Sequence, residues 1–225
     1  MRRKKTPVAD PVRDAQKRYG CPFERKKTVS LWEDAVTHCT TGQFAHLRQG
    51  YKRHCGPTAI TNLILTLHNR YGFLEDPVPA DVFSEVSEIG RKKLIYWNTD
   101  ILGLLGGTYD FLTYPYIRDC LKRFRFPAGE TVSLHAYVLP AADRFLQELN
   151  SGKLLYLQLH RHRCYGSHHL LCYGYTLVCG EDPASGRTYR EIYLITADGW
   201  NSRPRYLRLK DRGICHFCTV GSLIR

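Results

Sequence analysis

One cysteine in the chain stands where a loop is predicted to turn into a helix, a position that activates a thiol. The apolar residues that follow Cys55 have the spacing of a helix with one buried face: Ile60, Leu63, Ile64 and Leu67. Pro57 fits only the first turn of a helix, so the helix should begin within a residue or two of Cys55 and end at Gly72. The positive end of a helix favours a thiolate. Cys55 is therefore a candidate nucleophile, and a buried, inert cysteine is the alternative.

A cysteine nucleophile needs a base, a group that orients the base, and donors for the oxyanion that forms on the attacked carbonyl. His168 begins a predicted strand, from which its imidazole could project into a cleft. His169 follows directly and should point to the opposite face, because side chains alternate along a strand. The two histidines are thus alternatives for the base, and packing or surface roles for both remain open.

Candidates for the remaining two parts lie on either side of these residues. Asp198 follows a predicted strand, and its carboxylate could accept the imidazole N–H and fix the tautomer. An ordinary turn aspartate before glycine is the alternative. Gln49 lies six residues before Cys55, which is enough for its amide to fold back toward the sulfur. The Gln49 amide and the Cys55 backbone N–H would then form an oxyanion hole.

The elements that must position these residues change character halfway along the chain. Helical periodicity predicts helices beyond Gly72 over three stretches: Ala80–Gly90, with 92–97 as an extension; Tyr109–Phe124, capped by Thr108; and Pro140–Asn150. The segment 126–139 between the last two is predicted to be extended. Strand periodicity then predicts Lys153–His160, His169–Val178, Glu191–Ala197 and Arg205–Leu209. Helices followed by strands with short turns predict an α+β fold with an antiparallel sheet.

The length of 225 residues suits one sizeable domain. Residues 1–28 are basic and rich in proline, which predicts a loosely ordered arm with at most one short helix. Residues 29–225 then form a single domain, with a helical part over about 29–150 and a sheet part over about 151–225.

The ordered set of motifs resembles the papain-like cysteine peptidase clan. It is most similar to the bacterial peptidases related to those that remove bacteriocin leader peptides, in which the third member is aspartate. The resemblance rests on residues spread from about 43 to 210: Gln49, Cys55-Gly56, His168 with Gly174-Tyr175, and Asp198 with Trp200.

This resemblance implies a helical part that carries the cysteine, packed on an antiparallel sheet that carries histidine and aspartate. It implies that Cys55 is the nucleophile, His168 the general acid and base, Asp198 the orienting residue and Gln49 the oxyanion donor. The position of Gly174-Tyr175 favours His168 over His169. Trp200 would shield the histidine–aspartate hydrogen bond, and with Gly56 it belongs to the shielding or substrate-binding group.

The expected function is hydrolysis of a peptide or isopeptide bond through an acyl-thioester at Cys55, without a metal or cofactor. A transglutaminase or other acyltransferase would use the same Cys, His and Asp. An inactive papain-like module that binds acidic or peptide partners is the third alternative. The expected partner is a peptide or protein substrate, and the oligomeric state is left open.

Composition argues against several other classes. The net charge of +12 invites nucleic-acid binding, but the sequence contains no recognisable helix-turn-helix, zinc-finger or RNA-binding motif. Two sets have a spacing that could bind metal, but no metal site is predicted from either: Cys215 with Cys218, and His160, His162, Cys164 and His168. The basic start lacks an apolar segment behind it, no stretch suits a membrane span, and nine irregularly spaced cysteines suggest reduced thiols. We therefore expect a cytoplasmic protein without a signal peptide.

Overall fold

The computed structural model describes residues 6–47, 53–97, 107–126, 135–138 and 142–220. The helices are α1 (Pro11–Tyr19), α2 (Cys55–Tyr71), α3 (Pro79–Lys92), α4 (Thr113–Arg123) and α5 (Ala142–Asn150). The strands are β1 (Phe23–Ser30), β2 (Tyr96–Trp97), β3 (Gly107–Thr108), β4 (His135–Val138), β5 (Leu154–His162), β6 (Gly166–Glu181), β7 (Thr188–Ala197), β8 (Arg205–Arg208) and β9 (Ile214–Val220). Short 3-10 helices cover Glu33–Ala35 and Asp110–Leu112.

A seven-stranded antiparallel sheet organises the molecule, with the order β4-β9-β5-β6-β7-β8 and with β1 also paired to β6. The long strand β6 is its centre, because β7 covers one edge of β6 while β5 and β1 share the other edge end to end. Strands β2 and β3 form a separate two-stranded sheet. The predicted α+β fold with an antiparallel sheet is confirmed at this level.

The two faces of the sheet bury different clusters. Helices α2, α3 and α4 pack on one face, where the predicted apolar face of α2 is fully buried against residues such as Leu171 and Tyr173. Helix α5 packs on the other face through Phe145 and Leu149, against residues such as Leu157 and Phe217. Strand alternation explains the division, because successive side chains of β5 enter opposite clusters.

The N-terminal segment differs from the predicted loose arm over residues 6–28. Helix α1 is capped by the Asp10 side chain, which accepts hydrogen bonds from the Val12 and Arg13 N–H groups. Its residue Ala15 is fully buried in a cluster with Val178 and Tyr193 of the sheet. The segment is ordered because it pairs with β6 and covers β7, a long-range contact that its basic composition conceals.

Local predictions hold best at the centres of elements. Helices α2, α3 and α5 and strands β5 to β8 match their predicted positions within a few residues. The chain does not continue as a helix through 92–97, where Leu94 takes a positive φ of 56° and β2 follows. Thr108 is not a helix cap but part of β3, and α4 begins later, at Thr113.

Both β1 and β4 belong to the sheet, so the predicted division into a helical part before residue 150 and a sheet part after it is incomplete. The extended segment predicted over 126–139 contains β4, and residues 127–134 and 139 lie outside the described ranges. Within the described ranges, no helix combines the length and apolar character needed to cross a bilayer.

Candidate active site

The first residue of α2 is Cys55, as the sequence predicts, and its thiol is hydrogen-bonded to the side chain of His168 at the start of β6. Backbone N–H groups of Gly56 and His169 also contact the sulfur. Cys55 as a residue is partly exposed, while burial acts on its thiol. The structure thus brings the N-terminus of α2 next to the start of β6, which lies more than a hundred residues later in the chain.

The turn before α2 is held by His54, which is 7% exposed. Its Nε2 lies 2.8 Å from the Thr41 carbonyl oxygen, and its own carbonyl accepts a hydrogen bond from the Thr58 hydroxyl, also at 2.8 Å. These contacts tie the preceding loop to the first turn of the helix. They fix the direction in which the neighbouring thiol leaves the backbone.

Gly56 allows a second element to approach the cysteine. A Cβ atom at this position would lie 2.0 Å from the Thr108 side-chain oxygen, far inside van der Waals contact. Strand β3 can therefore lie directly on the first turn of α2 only because residue 56 has no side chain. This gives Gly56 a packing role beside the nucleophile.

The imidazole of His168 is 3% exposed and is held from the side opposite Cys55. Its Nε2–H donates to the backbone carbonyl oxygen of Asp198 at 2.6 Å, which leaves Nδ1 for the sulfur. Two aromatic rings pack on it: Tyr165, stacked with a centroid separation of 5.3 Å and an angle of 2°, and Trp200 at 4.6 Å. Trp200 is 42% exposed, so it covers the histidine while forming part of the outer surface.

The Asp198 carboxylate does not accept the imidazole N–H, which differs from the predicted role. Its Oδ1 accepts the backbone N–H groups of Trp200 at 3.0 Å and Asn201 at 2.9 Å. Its Oδ2 accepts the Asn201 side-chain amide at 2.8 Å and the Tyr165 hydroxyl at 3.1 Å. The carboxylate closes the turn, as the alternative interpretation from the sequence allowed, and the turn then presents the Asp198 carbonyl to His168.

The charges of this pair favour the reactive form. Burial raises the pKa of the Cys55 thiol, but the hydrogen bond and charge of His168 and the two backbone N–H groups outweigh it, so the pKa lies below its usual value. Burial lowers the pKa of His168, yet the contact with Cys55 and the carbonyl and charge of Asp198 leave it above its usual value. Both shifts favour a thiolate beside an imidazolium.

His169 lies on the other side of the strand, as alternation requires. Its ring is hydrogen-bonded to the backbone of Thr108, and burial is the main reason that its pKa falls to about 3. A neutral ring in this position joins β6 to β3. His169 contributes its backbone N–H, and not its imidazole, to the surroundings of the sulfur.

Three site residues were missed from the sequence: Tyr165, Asn201 and Thr108. Asn201 follows Asp198 by three residues, the offset of a side-chain-capped turn, so a sequence signal for it existed. Tyr165 had no comparable signal, because its partners lie across a hairpin and in another loop. Gln49 lies outside the described residues, so its predicted oxyanion role stays a prediction.

The Cys215 side chain lies outside the described part of the chain, so the Cys215–Cys218 spacing is not tested, and the set of His160, His162, Cys164 and His168 forms no cluster of ligands. No group of three or more His, Cys, Asp or Glu side chains in the described part could hold a metal ion. The His162 ring accepts backbone N–H groups of Cys164 and Tyr165 at 3.3 and 3.4 Å, and His160 lies 3.3 Å from the Ser167 hydroxyl. Cys218 is buried in the core, which raises its pKa to about 12.

Comparison of the chain with models of known protein families and with curated proteins found no match. The resemblance to papain-like peptidases therefore rests on the motifs and remains a prediction.

Proposed function

We propose that this protein is a cysteine hydrolase that cleaves a peptide or isopeptide bond through an acyl-thioester on Cys55. The observation that carries the proposal is the hydrogen bond between the Cys55 thiol, at the first residue of α2, and His168. A thiolate at a helix N-terminus beside an imidazolium is a combination suited to nucleophilic attack on a carbonyl. The papain-like architecture expected from the motifs forms part of the same proposal.

The chemistry follows from the two atoms that face each other. The Cys55 thiolate attacks the carbonyl carbon, and the oxyanion forms near the backbone N–H groups at the start of α2, with Gln49 as the further donor expected from the sequence. The His168 imidazolium gives its proton to the departing amine, and the C–N bond breaks to leave a thioester. Water then attacks the thioester while His168 accepts its proton, which releases the acid and regenerates the thiolate.

The test is selective alkylation of Cys55 by iodoacetamide or an E-64-like epoxide. Among the cysteines whose side chains the structure describes, Cys55 and Cys179 are partly exposed, so a Cys179→Ala background removes the competing thiol of this set. Burial raises the pKa of Cys39 to about 11 and that of Cys172 to about 12, which makes these thiols slow to react. We expect fast labelling that Cys55→Ala removes. Equal labelling of Cys55→Ala and its parent would refute the proposal.

His168→Ala tests whether histidine generates the thiolate. Without the imidazolium, burial is opposed only by the Gly56 and His169 N–H groups, so the pKa of Cys55 should rise. At a pH near 6, the rate of alkylation should fall, by about tenfold for each unit by which the pKa of Cys55 rises. His169→Ala is the matched control, since its ring does not contact the sulfur. A similar loss in both variants would indicate a packing effect.

The same thioester would serve an acyltransferase, in which an amine replaces water in the second step. An amine-incorporation assay on any peptide that labels Cys55 would separate the two reactions. The inactive-module alternative predicted a sulfur far from both histidine nitrogens, and the hydrogen bond to His168 gives that alternative no support.

A further inference from the structure

The segments that form the site are depleted of acidic residues. The chain has 21 aspartates and glutamates, yet residues 36–74, 149–180 and 199–210 contain none. These three segments supply Cys55, His168 and Trp200. Asp198, which lies between the second and third segments, is fully buried and saturated by neutral donors. The remaining contributor, Gly107–Leu112, has one acidic residue, Asp110, whose side chain lies outside the described part.

Two exposed arginines lie a few residues from positions that pack on His168 or pair with it in the sheet. Arg203 lies in the loop that follows Asp198, and Arg161 is the second-last residue of β5, just before the turn to β6. Within the described residues neither forms an ion pair, whereas Arg163 in that turn pairs with Asp211 at 3.0 Å. Among the residues that the structure describes, the charges of Arg203 and Arg161 are therefore not paired with a carboxylate.

Both arginines are within electrostatic range of a bound substrate. Arg203 follows Trp200 by three residues, which span at most about 11 Å of chain, and the Trp200 ring packs on His168. Arg161 is two residues beyond Leu159, the register partner of His168. These separations are comparable with the Debye length of about 10 Å at 0.1 M salt, so screening by salt is only partial.

On the premise that Cys55 and His168 act as argued above, we propose that the substrate is a peptide segment with acidic side chains near the scissile bond, selected by Arg203 and Arg161. Nucleic acid is also anionic, but the carbonyl that a thiolate attacks belongs to a peptide. These two arginines would raise the local concentration of acidic segments and repel basic ones.

The test compares three peptidyl vinyl sulfone probes that differ only in the residues beside the electrophile: glutamate, glutamine or lysine. The measured quantity is the second-order rate constant for labelling Cys55 in the Cys179→Ala background, at low and high salt. At separations of about 10 Å and low salt, the attraction of the two arginines together corresponds to about a fourfold change in rate. We expect the glutamate probe to react about fourfold faster than the glutamine probe at low salt, the lysine probe to be slowest, and salt to reduce these differences.

Charge reversal assigns the preference to residues. Arg203→Glu and Arg161→Glu should each abolish or invert the preference for the glutamate probe while leaving the rate with neutral iodoacetamide unchanged. Arg187→Glu makes the same change of net charge in the turn between β6 and β7, at the opposite end of these strands, and should keep the preference. A loss of preference in Arg187→Glu equal to that in Arg203→Glu would overturn the assignment.

The outcomes separate this inference from the proposed function. If iodoacetamide labels Cys55 but the glutamate and glutamine probes react equally, the acidic preference is wrong and the thiol chemistry stands. If neither iodoacetamide nor any probe labels Cys55, the proposed function itself fails. Protection of Cys55 by an oligonucleotide at concentrations where an acidic peptide of equal charge gives none would overturn the peptide assignment in favour of nucleic acid.

Discussion

Two buried carboxylates on the same sheet are satisfied in opposite ways. Glu191 on β7 is 1% exposed and receives two hydrogen bonds of 2.7 Å from the Arg208 guanidinium, with further contacts from Tyr19 and Lys210. Asp198, just beyond the end of the same strand, is 0% exposed and receives only neutral donors. One charge is neutralised by an adjacent cation, and the other is solvated by dipoles.

The difference separates stability from chemistry. The adjacent Arg208 guanidinium neutralises Glu191. The Tyr19 hydroxyl is hydrogen-bonded to both residues and so attaches the end of α1 to the sheet. Among the described residues, no guanidinium or ammonium group forms an ion pair with Asp198, and its charge raises the pKa of His168. We therefore expect changes at Glu191 to affect unfolding and changes at Asp198 to affect the reactivity of Cys55.

The largest effect should come from Arg208→Ala. Removing one partner of a buried ion pair strands the other charge, which costs about 3–5 kcal/mol of the free energy of unfolding. Urea denaturation at neutral pH measures this loss, while the alkylation rate of Cys55 in the folded variant should stay within about twofold of wild type. Burial raises the pKa of Glu191, but Arg208 and Tyr19 hold it below its usual value.

The pH dependence of this loss has a definite sign. Because the pKa of Glu191 is lower when folded, its stabilisation is complete above the unfolded value of about 4.3 and disappears as pH falls through the folded value. The difference in the free energy of unfolding between Arg208→Ala and wild type should therefore become smaller at acidic pH. Lys210→Ala, which removes an exposed partner 3.4 Å from Glu191, is the control and should cost less than about 1 kcal/mol. Equal losses in the two variants would contradict the comparison.

Asp198→Asn should have an intermediate effect, on reactivity. If the carboxylate held the imidazole, the wrong tautomer would lower the rate by about ten-thousandfold, as in serine proteases. Because the backbone carbonyl accepts the His168 N–H, we expect a fall of only about tenfold in the Cys55 alkylation rate. The upper limb of the pH–rate profile should also move to lower pH, since His168 loses the charge that raises its pKa. If the Cys55 alkylation rate fell ten-thousandfold in folded Asp198→Asn, the carboxylate would be the group that orients His168.

The smallest effect should come from Tyr165→Phe. This change keeps the ring stacked on His168 and removes one hydrogen bond to Asp198, which still retains its other donors. A net loss of about 0.7 kcal/mol corresponds to about a threefold lower alkylation rate. Tyr19→Phe is the matched control, because it removes a hydroxyl from Glu191 and should alter stability without changing the rate. A change of the alkylation rate in Tyr19→Phe would show that the two carboxylates are not independent.

Sequence reasoning succeeded where neighbours along the chain decide the structure. Pro57 and the apolar spacing predicted that α2 begins within a residue or two of Cys55, and strand alternation predicted that His168 and His169 point to opposite faces. Predictions were wrong where contacts with residues far away in the sequence determine the structure. The Tyr19 hydroxyl meets Glu191 across 172 residues, which is why the N-terminal segment is ordered although it is basic and rich in proline.

The sequence by itself determined that a thiol stands at a helix N-terminus and that a histidine begins a strand, because helix and strand periodicities need only nearby residues. The tertiary structure decided that these two groups meet, that the Asp198 carbonyl and not its carboxylate holds the imidazole, and that Tyr165 stacks beneath it. The physical reason is that a carboxylate takes whichever donors surround it. At Asp198 those donors come from a turn and from a hairpin 33 residues away, and only the closed sheet brings them together.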